Sequence, residues 1–501
     1  MCGFAGFRRF DRPLEAAHDG RIVRAMTRSL AHRGPDDEEL LLESEAGVAL
    51  GFRRLAVMDP SPAARQPMRS ACGRYVLVFN GEIYNHRELR AELEALGHIF
   101  RSRGDTEVLL ECCARFGIET ALRRASGMFA LALWDHRERR LVLARDRFGK
   151  KPLYWGRLGD LLLFASELRA LLHHPEFRPA RDPEAVALYL RFGYVPTPRA
   201  VLAGVEKLPA GGMLVVEADG TTRRMRWFDA VAEAEAAVAD PLDGDEEALL
   251  DRFAALLEDS VRRRLVADVP VGLFLSGGLD STLVAALAAR ADPGLETFTL
   301  GFDDPAFDES THAAAIARAL GLVHRVERIP AHRLPELVHD LPRVWDEPFA
   351  DPSALPTLAL CRFARTRVVV ALSGDGGDEL FAGYRHYADV LRLHRRLARL
   401  PRRLARLARA PLRLLDGALL TELGRWLPAV ARLRPDERAG RLAEVLGAEP
   451  ETLMRILVGH HDRPERIYPL AAGMPPPMWR EGVSRRIRTL PERLQLLDLL
   501  Q

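Results

Sequence analysis

The chain has 501 residues, enough for two or three domains, each with its own core. A formal net charge of +2 gives no global argument for binding nucleic acid or an acidic surface, and no apolar run approaches the roughly 20 residues of a membrane span. Five cysteines (Cys2, Cys72, Cys112, Cys113, Cys361) without framework spacing, behind an N-terminus unlike a signal peptide, suit a reducing compartment, so a cytoplasmic location is expected.

The chain opens Met1-Cys2-Gly3-Phe4-Ala5-Gly6. Methionine is usually trimmed before a small residue, so the mature chain is expected to begin at Cys2, carrying a thiol and a free α-amine on one residue. A nucleophile served by its own terminal amine is a known route to acyl transfer. A buried cysteine in a first strand is the competing reading. Val76-Leu77-Val78-Phe79 predicts a short strand ending at the turn pair Asn80-Gly81. Residues 86–96 have helical spacing, with Leu89, Leu93 and Leu96 on one face. Residues 129–134 and 141–144 flank a polar turn and predict a hairpin. Residues 230–247 are rich in alanine and acid with Asp-Pro and Asp-Gly breaks, and read as a linker.

A second domain then alternates. Strands are predicted at 272–275, 297–300 and 368–372, and helices at 281–291 and 311–320. Such alternation argues for a parallel α/β sheet. Beyond Leu391 the chain is rich in Arg, Leu and Ala. Its arginines alternate with leucines at helical spacing, which favours core-facing amphipathic helices over a nucleic-acid surface. The expected domains are 1–215, a connecting segment 216–247, 248–390, and a helical remainder 391–501.

Acyl transfer from an amide needs a nucleophile, donors for the oxyanion, a clamp for the charged end of the substrate and a proton source for the leaving amine. Asn80 and the Gly81 amide are candidate oxyanion donors. Arg54 could grip a carboxylate bidentately, and Glu82 and Asp105 could hold an ammonium. Each piece alone is ordinary: a turn, a solvated arginine pair, a loop. Together, Cys2, Arg33-Gly34-Pro35-Asp36, Arg54-Leu55, Asn80-Gly81-Glu82-Ile83-Tyr84-Asn85, Asp105 and Gly127-Met128-Phe129-Ala130 resemble the glutaminase domain of class II glutamine amidotransferases. The resemblance implies an N-terminal-nucleophile fold, an αββα sandwich of two sheets between helical layers. It implies that Cys2 attacks the glutamine side-chain amide, giving a thioester and ammonia, with Asn80 and Gly81 as oxyanion hole. Arg54, Leu55, Ala56, Val57, Met58, Asn80, Gly81, Glu82 and Asp105 fall at its glutamine-binding positions.

Ser276-Gly277-Gly278-Leu279-Asp280-Ser281 lies between a predicted strand and helix, the setting of an anion loop. Two glycines let backbone approach phosphate, the serines add hydroxyls, and Asp280 can reach a phosphate-bound magnesium. The Gly-Lys-Ser/Thr ending of a Walker A motif is absent. A plain serine/glycine turn is the competing reading. A second acid-bearing loop, Ser373-Gly374-Asp375-Gly376-Gly377-Asp378-Glu379-Leu380, follows another predicted strand, which suggests one composite nucleotide–metal site at a sheet edge. The first loop resembles the pyrophosphate loop of ATP pyrophosphatases, and residues 373–384 resemble the second loop of glutamine-hydrolysing asparagine synthetases. That resemblance implies a Rossmann-like parallel α/β ATP-pyrophosphatase domain and a ligase in which ATP, with Mg2+, adenylates a carboxylate that ammonia then converts to an amide. Leu275, Ser276, Gly277, Gly278, Asp280, Ser281, Leu300, Ser373 and Gly374 match ATP-binding positions, Asp280 and Asp378 the magnesium-side carboxylates, and Asp375 a catalytic position.

Two departures qualify the resemblance. The acceptor loop reads Glu347-Pro348-Phe349-Ala350-Asp351-Pro352-Ser353, where the bacterial asparagine synthetase pattern carries Thr and Arg, so aspartate is one acceptor among several carboxylates. The chain also stops at Gln501, where the family continues with a Ser-Leu-Glu-Ala-Arg-Val-Pro segment and an active-site lysine. On that ground the expectation is that either the sequence is shortened at its C-terminus or the second site is impaired or works differently. A glutaminase with an uncoupled second site, or a non-catalytic nucleotide-binding scaffold, are the alternative functions. The expected partners are small molecules (glutamine, ATP, a carboxylate), with no nucleic acid and no membrane, and a homodimer is one assembly open to the chain.

Overall fold

Unbroken apolar runs such as Phe129-Ala130-Leu131-Ala132-Leu133-Trp134 have no polar face to offer water, so their strands need cover on both sides. A computed structural model describes residues 1–397, 399, 445, 448–461, 464–471, 487 and 489–499. It meets that need with two six-stranded antiparallel sheets stacked between helices. The strands are, in chain order, β1 (Gly3–Arg9), β2 (Asp37–Glu43), β3 (Val48–Arg54), β4 (Met68–Arg69), β5 (Tyr75–Ile83), β6 (Gly127–Asp135), β7 (Arg140–Arg145), β8 (Tyr154–Leu158), β9 (Leu161–Ala165), β10 (Val205–Lys207), β11 (Gly212–Val216) and β12 (Thr222–Arg226). One sheet has the order β10-β8-β9-β1-β3-β2 and the other β12-β11-β7-β6-β5-β4.

Strand alternation distributes side chains among three cores. Phe4, Leu50, Val76, Val78, Ala132 and Trp134 meet between the sheets. Leu77, Phe79, Leu131 and Leu133, one position over, face outward onto the helices His86–Ala95 and Asp105–Phe116 through Leu89, Leu93, Val108 and Leu109. Ala5, Phe7, Leu161 and Leu163 face the opposite way, onto Val23, Met26 and Leu30 at the helix Ala16–Arg28. The expected αββα sandwich is therefore present, and the 129–134/141–144 hairpin is β6 and β7, paired from Ala130↔Arg145 to Asp135↔Arg140.

Two local expectations fail. Asn80-Gly81 is not a turn: β5 runs through it to Ile83, with Asn80 opposite Ala130 and Gly81 opposite Phe129. The glycine is there for space, because a Cβ at Gly81 would lie 2.3 Å from Met128 O. Leu96 lies beyond its helix and is 50% exposed, so only Leu89 and Leu93 of that face are buried. The stretch 230–247 contains a helix, Ala230–Ala239, with no buried residue, before Asp245 caps the helix Glu246–Arg264 by accepting from Ala248 N at 2.8 Å.

Four parallel strands follow: β13 (Val271–Phe274), β14 (Glu296–Phe302), β15 (Val323–Ile329) and β16 (Val370–Leu372), in the order β15-β14-β13-β16. The helices Leu279–Ala291 and Ser310–Leu320 bury Ala285, Ala288, Ala313 and Ala317 against Leu273 and Leu275. β15 escapes the sequence pattern because His324, Arg325, Glu327 and Arg328 interrupt it. The strand forms at the sheet edge, paired with β14 along its whole length. The chain steps outward from β13 to β14 and β15, then returns to the other side of β13 as β16. This puts a topological switch point between β13 and β16, where ligand crevices form at the carboxyl ends of such strands.

Met1–Asp182, Thr197–Ala230 and Pro241–Asp375 make one compact unit and Pro183–Pro196, Val231–Asp240 and Gly376–Gln501 another. The second unit is helical in its described parts: Pro183–Phe192, Gly377–Phe381, Arg385–Leu397, Pro450–Val458 and Leu490–Leu499. Tyr387 and Val390 of the third, and Leu453, Met454 and Ile456 of the fourth, are buried, as amphipathic spacing requires. Most of the Arg- and Leu-rich run, 401–444, lies outside the described residues. Among those described, no helix is long and apolar enough to cross a membrane.

Candidate active sites

Cys2 stands just before β1, and β1 pairs with β3 from Gly3↔Arg53 onward, which brings the chain after β3 beside the sulfur. Leu55 N donates to Cys2 Sγ at 3.3 Å, and the thiol reaches Leu55 O at 3.5 Å. Arg33 Nε holds the Cys2 carbonyl at 2.9 Å. Burial pushes the Cys2 thiol up, against the Leu55 hydrogen bond and the neighbouring terminal amine. Burial also lowers the α-amine at Met1 to about 5, so that amine is neutral near neutrality.

Beside the sulfur is a cavity of about 290 Å3, at the small end for small-molecule pockets. Cys2, Asn80, Gly81, Glu82 and Asp105 line it, together with Arg54, Leu55, Val57 and Met58. Asn80 is 1% exposed and its Nδ2 has no hydrogen-bond partner in the structure. A buried amide donor left unpaired beside a thiol is free to donate to an oxygen bound in the cavity. Arg54 differs from expectation in part. Two backbone carbonyls, Ser61 O at 3.1 Å and Asp59 O, already use its guanidinium, so it also shapes the cavity loop. Five donors leave capacity for a carboxylate. Ala56 does not line the cavity, because its N–H turns outward to Asp36 Oδ2 at 2.8 Å.

Two cavity carboxyls are unusually basic. Burial and the nearby Asp105 charge raise Glu82 to about 7. Burial raises Asp105 to about 6, although Ile83 N donates to its Oδ2 at 2.8 Å. Sequence reading missed several wall residues. Lys151 is one of three lysines in the chain, with Nζ 3.0 Å from Met1 Sδ, and burial lowers its pKa. Gln66 clamps β5 by accepting from Phe79 N at 2.6 Å. Val369, Val370 and Ala371 also reach the wall, brought there from more than 200 residues away in a manner no local pattern signals.

The second set of candidates gathers at the β13/β16 switch point. Ser276 Oγ and Ser281 Oγ are 2.8 Å apart, Gly278 N donates to Ser276 Oγ at 3.1 Å, and Gly277 N donates to Glu309 Oε2 at 3.1 Å. The helix Leu279–Ala291 starts here and brings half-buried Asp280 into its first turn. Leu275 is buried and donates to Phe298 O, while Leu300 is 8% exposed. The two loops touch: a Cβ on Gly374 would lie 2.8 Å from Ser281 N, so no side chain fits there. Ser373 Oγ donates to Asp375 Oδ2 at 2.9 Å. Asp378 belongs to the second unit, on the helix Gly377–Phe381. Glu309 and His312, whose ring would crowd a Cβ on Gly277, were not legible as loop residues from sequence.

Two serine hydroxyls and the N-terminus of a 13-residue helix meet here, part of the donor set of a phosphate loop, while the Gly277 and Gly278 N–H groups are taken by Glu309 and Ser276 Oγ in this structure. Among the described residues no group of three or more His, Cys, Asp or Glu side chains is set to hold a metal. Mg2+, which keeps waters and phosphate oxygens and takes few protein carboxylates, would need no such group, and Asp280 is one carboxylate that could reach it.

Two family patterns match the chain: a glutamine amidotransferase domain over residues 1–228 and asparagine synthase over 252–474. Asparagine synthetase (glutamine-hydrolyzing) 1 of Bacillus subtilis is 36% identical over 396 residues, covering 78% of this chain and 60% of that protein. Asparagine synthetase (glutamine-hydrolyzing) 3 of the same organism is 33% identical, covering 78% and 64%. A Methanocaldococcus jannaschii protein provisionally named asparagine synthetase (glutamine-hydrolyzing) 2 is 31% identical, covering 78% and 77%. The chain thus spans less than two thirds of the two Bacillus relatives.

Proposed function

The chain belongs to the family of glutamine-hydrolysing asparagine synthetases, and from that premise we propose that it is a two-site ligase that makes an amide from glutamine, ATP and a carboxylate. One observation carries the reading. The cavity beside Cys2 is walled partly by Val369, Val370 and Ala371, and that strand continues directly into the Ser373-Gly374 loop of the nucleotide cradle. Ammonia released at Cys2 forms beside the element that leads to the second site.

In the first site the terminal amine takes the thiol proton and Sγ attacks the glutamine amide carbon. Asn80 Nδ2 and the Gly81 amide donate to the oxyanion, and the protonated amine returns its proton to the leaving ammonia. Water then hydrolyses the thioester to glutamate. Arg54 faces the substrate carboxylate, and Glu82 and Asp105 face its ammonium. In the second site Ser276, Gly277, Gly278 and Ser281 hold the phosphates of ATP between Leu275 and Leu300. Asp280 would hold Mg2+, which would offset phosphate charge. Ser373 and Gly374 complete the cradle, and Asp375 lies at the reacting end. A cytoplasmic setting accords with five free cysteines.

The deciding assay measures ammonia and pyrophosphate release from glutamine and Mg-ATP across candidate carboxylates, aspartate included. Pyrophosphate release that requires one carboxylate is expected. Glutamine hydrolysis with no pyrophosphate from any carboxylate would refute the ligase reading. Asn80→Ala is expected to lower the glutamine turnover roughly 10²–10³-fold, the usual cost of one oxyanion donor. An unchanged rate would remove Asn80 from that role. The two raised carboxyls also predict a pH dependence. Both are neutral below about 6 and ionised above about 7, so binding of the substrate ammonium strengthens and KM for glutamine falls as pH rises through that window. Steady-state kinetics across the window test this, and a flat KM would separate these carboxyls from the ammonium.

A further inference from the structure

A line of ionic contacts runs from the nucleophile to the segment that enters the acceptor loop. Arg33 Nε donates to the Cys2 carbonyl at 2.9 Å, and Arg33 Nη1 meets Glu167 Oε1, also at 2.9 Å. His32 Nε2 lies 3.0 Å from the same oxygen. The other oxygen, Glu167 Oε2, is 2.8 Å from Arg169 Nε. Arg169 Nε in turn lies 3.1 Å from Asp346 Oδ1, and Asp346 also accepts from the backbone N–H of Leu168 and of Arg169. The next residue, Glu347, accepts from Val201 N at 2.7 Å and from the Tyr154 hydroxyl at 3.3 Å, and pairs with Lys207.

Three of these groups are sequestered from water, the side chains of Glu167, Arg33 and Asp346 being 6%, 9% and 11% exposed, while Arg169 between them is 25% exposed. Ions so placed hold one geometry, because a displaced partner leaves an uncompensated buried charge. Burial opposes the Glu167 charge, but hydrogen bonds from His32 and Arg33 outweigh it and hold the carboxyl below the usual carboxylate range. Glu167 is therefore an anion whose Oε1 is hydrogen-bonded by Arg33 and whose Oε2 has no hydrogen bond and is held only by its ionic contact with Arg169. Its orientation depends on Arg169 at one end and fixes Arg33 at the other. A docking contact between the two halves of this unit would need only the backbone N–H groups that Asp346 accepts. The sharing of Arg169 Nε between Asp346 and Glu167 adds a path to Cys2.

We propose that Asp346 and Arg169 are positioning residues for Cys2, acting through Glu167 and Arg33, so that the segment entering the acceptor loop sets the orientation of the glutaminase nucleophile. The inference rests on the glutaminase reading of Cys2 given above. It makes the acceptor segment a control on ammonia release: whatever moves Asp346 on occupying that loop reaches the Cys2 carbonyl through three side chains.

The test uses the full chain with Asp346→Asn, Asp346→Glu, Arg33→Lys and the Asp346→Asn/Arg33→Lys double variant. Kinetics of glutamine hydrolysis are read beside the rate at which iodoacetamide alkylates Cys2, followed by peptide mass spectrometry. Asp346→Asn is expected to lower kcat roughly 10–100-fold with KM within about twofold, as a mis-set catalytic group does. Its Cys2 alkylation rate changes with kcat, and Asp346→Glu recovers most of both. Because the two residues act along one path, the double variant is expected to be no worse than Arg33→Lys alone. A wild-type kcat and alkylation rate in folded Asp346→Asn, or losses that multiply in the double variant, would overturn the proposal. Should Asp346→Asn not fold, Arg169→Lys takes its place against the same outcomes. A wild-type chain that releases no ammonia from glutamine would instead sink the glutaminase reading, while the alkylation rates still decide whether Asp346 sets Cys2.

Discussion

Cys2→Ala is expected to abolish glutamine hydrolysis, a loss on the order of 10⁴-fold or more, as when a covalent nucleophile is removed elsewhere. The reason is geometric. Cys2 Sγ shares a cavity with the unpaired Asn80 amide, and its backbone is held by Arg33 and β3. Burial raises the thiol, so a base must take its proton, and the α-amine that Cys2 would carry once Met1 is removed lies on the same residue. The mechanism further requires that Met1 be removed, so that the amine belongs to Cys2 itself. Intact mass of the purified protein checks this directly. Brisk hydrolysis by a chain that retains Met1 would refute the amine as base, and residual activity in Cys2→Ala would refute the cysteine as nucleophile.

Asp280→Ala is expected to stop carboxylate-dependent pyrophosphate release while glutamine hydrolysis stays measurable. Asp280 sits in the first turn of the helix Leu279–Ala291, beside the Ser276–Ser281 hydroxyl pair. Losing the carboxylate that holds a phosphate-bound cation removes about 4 kcal/mol of charge stabilisation, roughly 10³-fold in rate. Both activities are read in one preparation. A folded Asp280→Ala protein that no longer hydrolyses glutamine would show that the two sites are not separable.

Several features were legible in the sequence because their causes are local. Apolar runs at 129–134 and 141–144 about a polar turn read as a hairpin, and the alternation after 270 reads as a parallel sheet. The glycine and serine chemistry of 276–281 marked an anion loop wherever the fold placed it. Other features were decided by contacts distant in sequence. Asn80-Gly81 has the composition of a turn, yet nine residues of pairing with β6 hold it in mid-strand, and this turns the Asn80 amide into the cavity wall. Ala56 shares its loop with Leu55 and Val57 but points away, because Asp36 captures its N–H. Val369–Ala371 and Asp346 carry no local mark of a role near Cys2. They acquire one only because the chain returns to the far side of β13 and docks acidic side chains on the sandwich. Residue type and short spacing thus determined which chemistry this chain holds, since propensity and motif act over a few residues. Which atoms face one another was left to the tertiary structure, because pairing, burial and ionic contacts join residues that no short window of sequence contains.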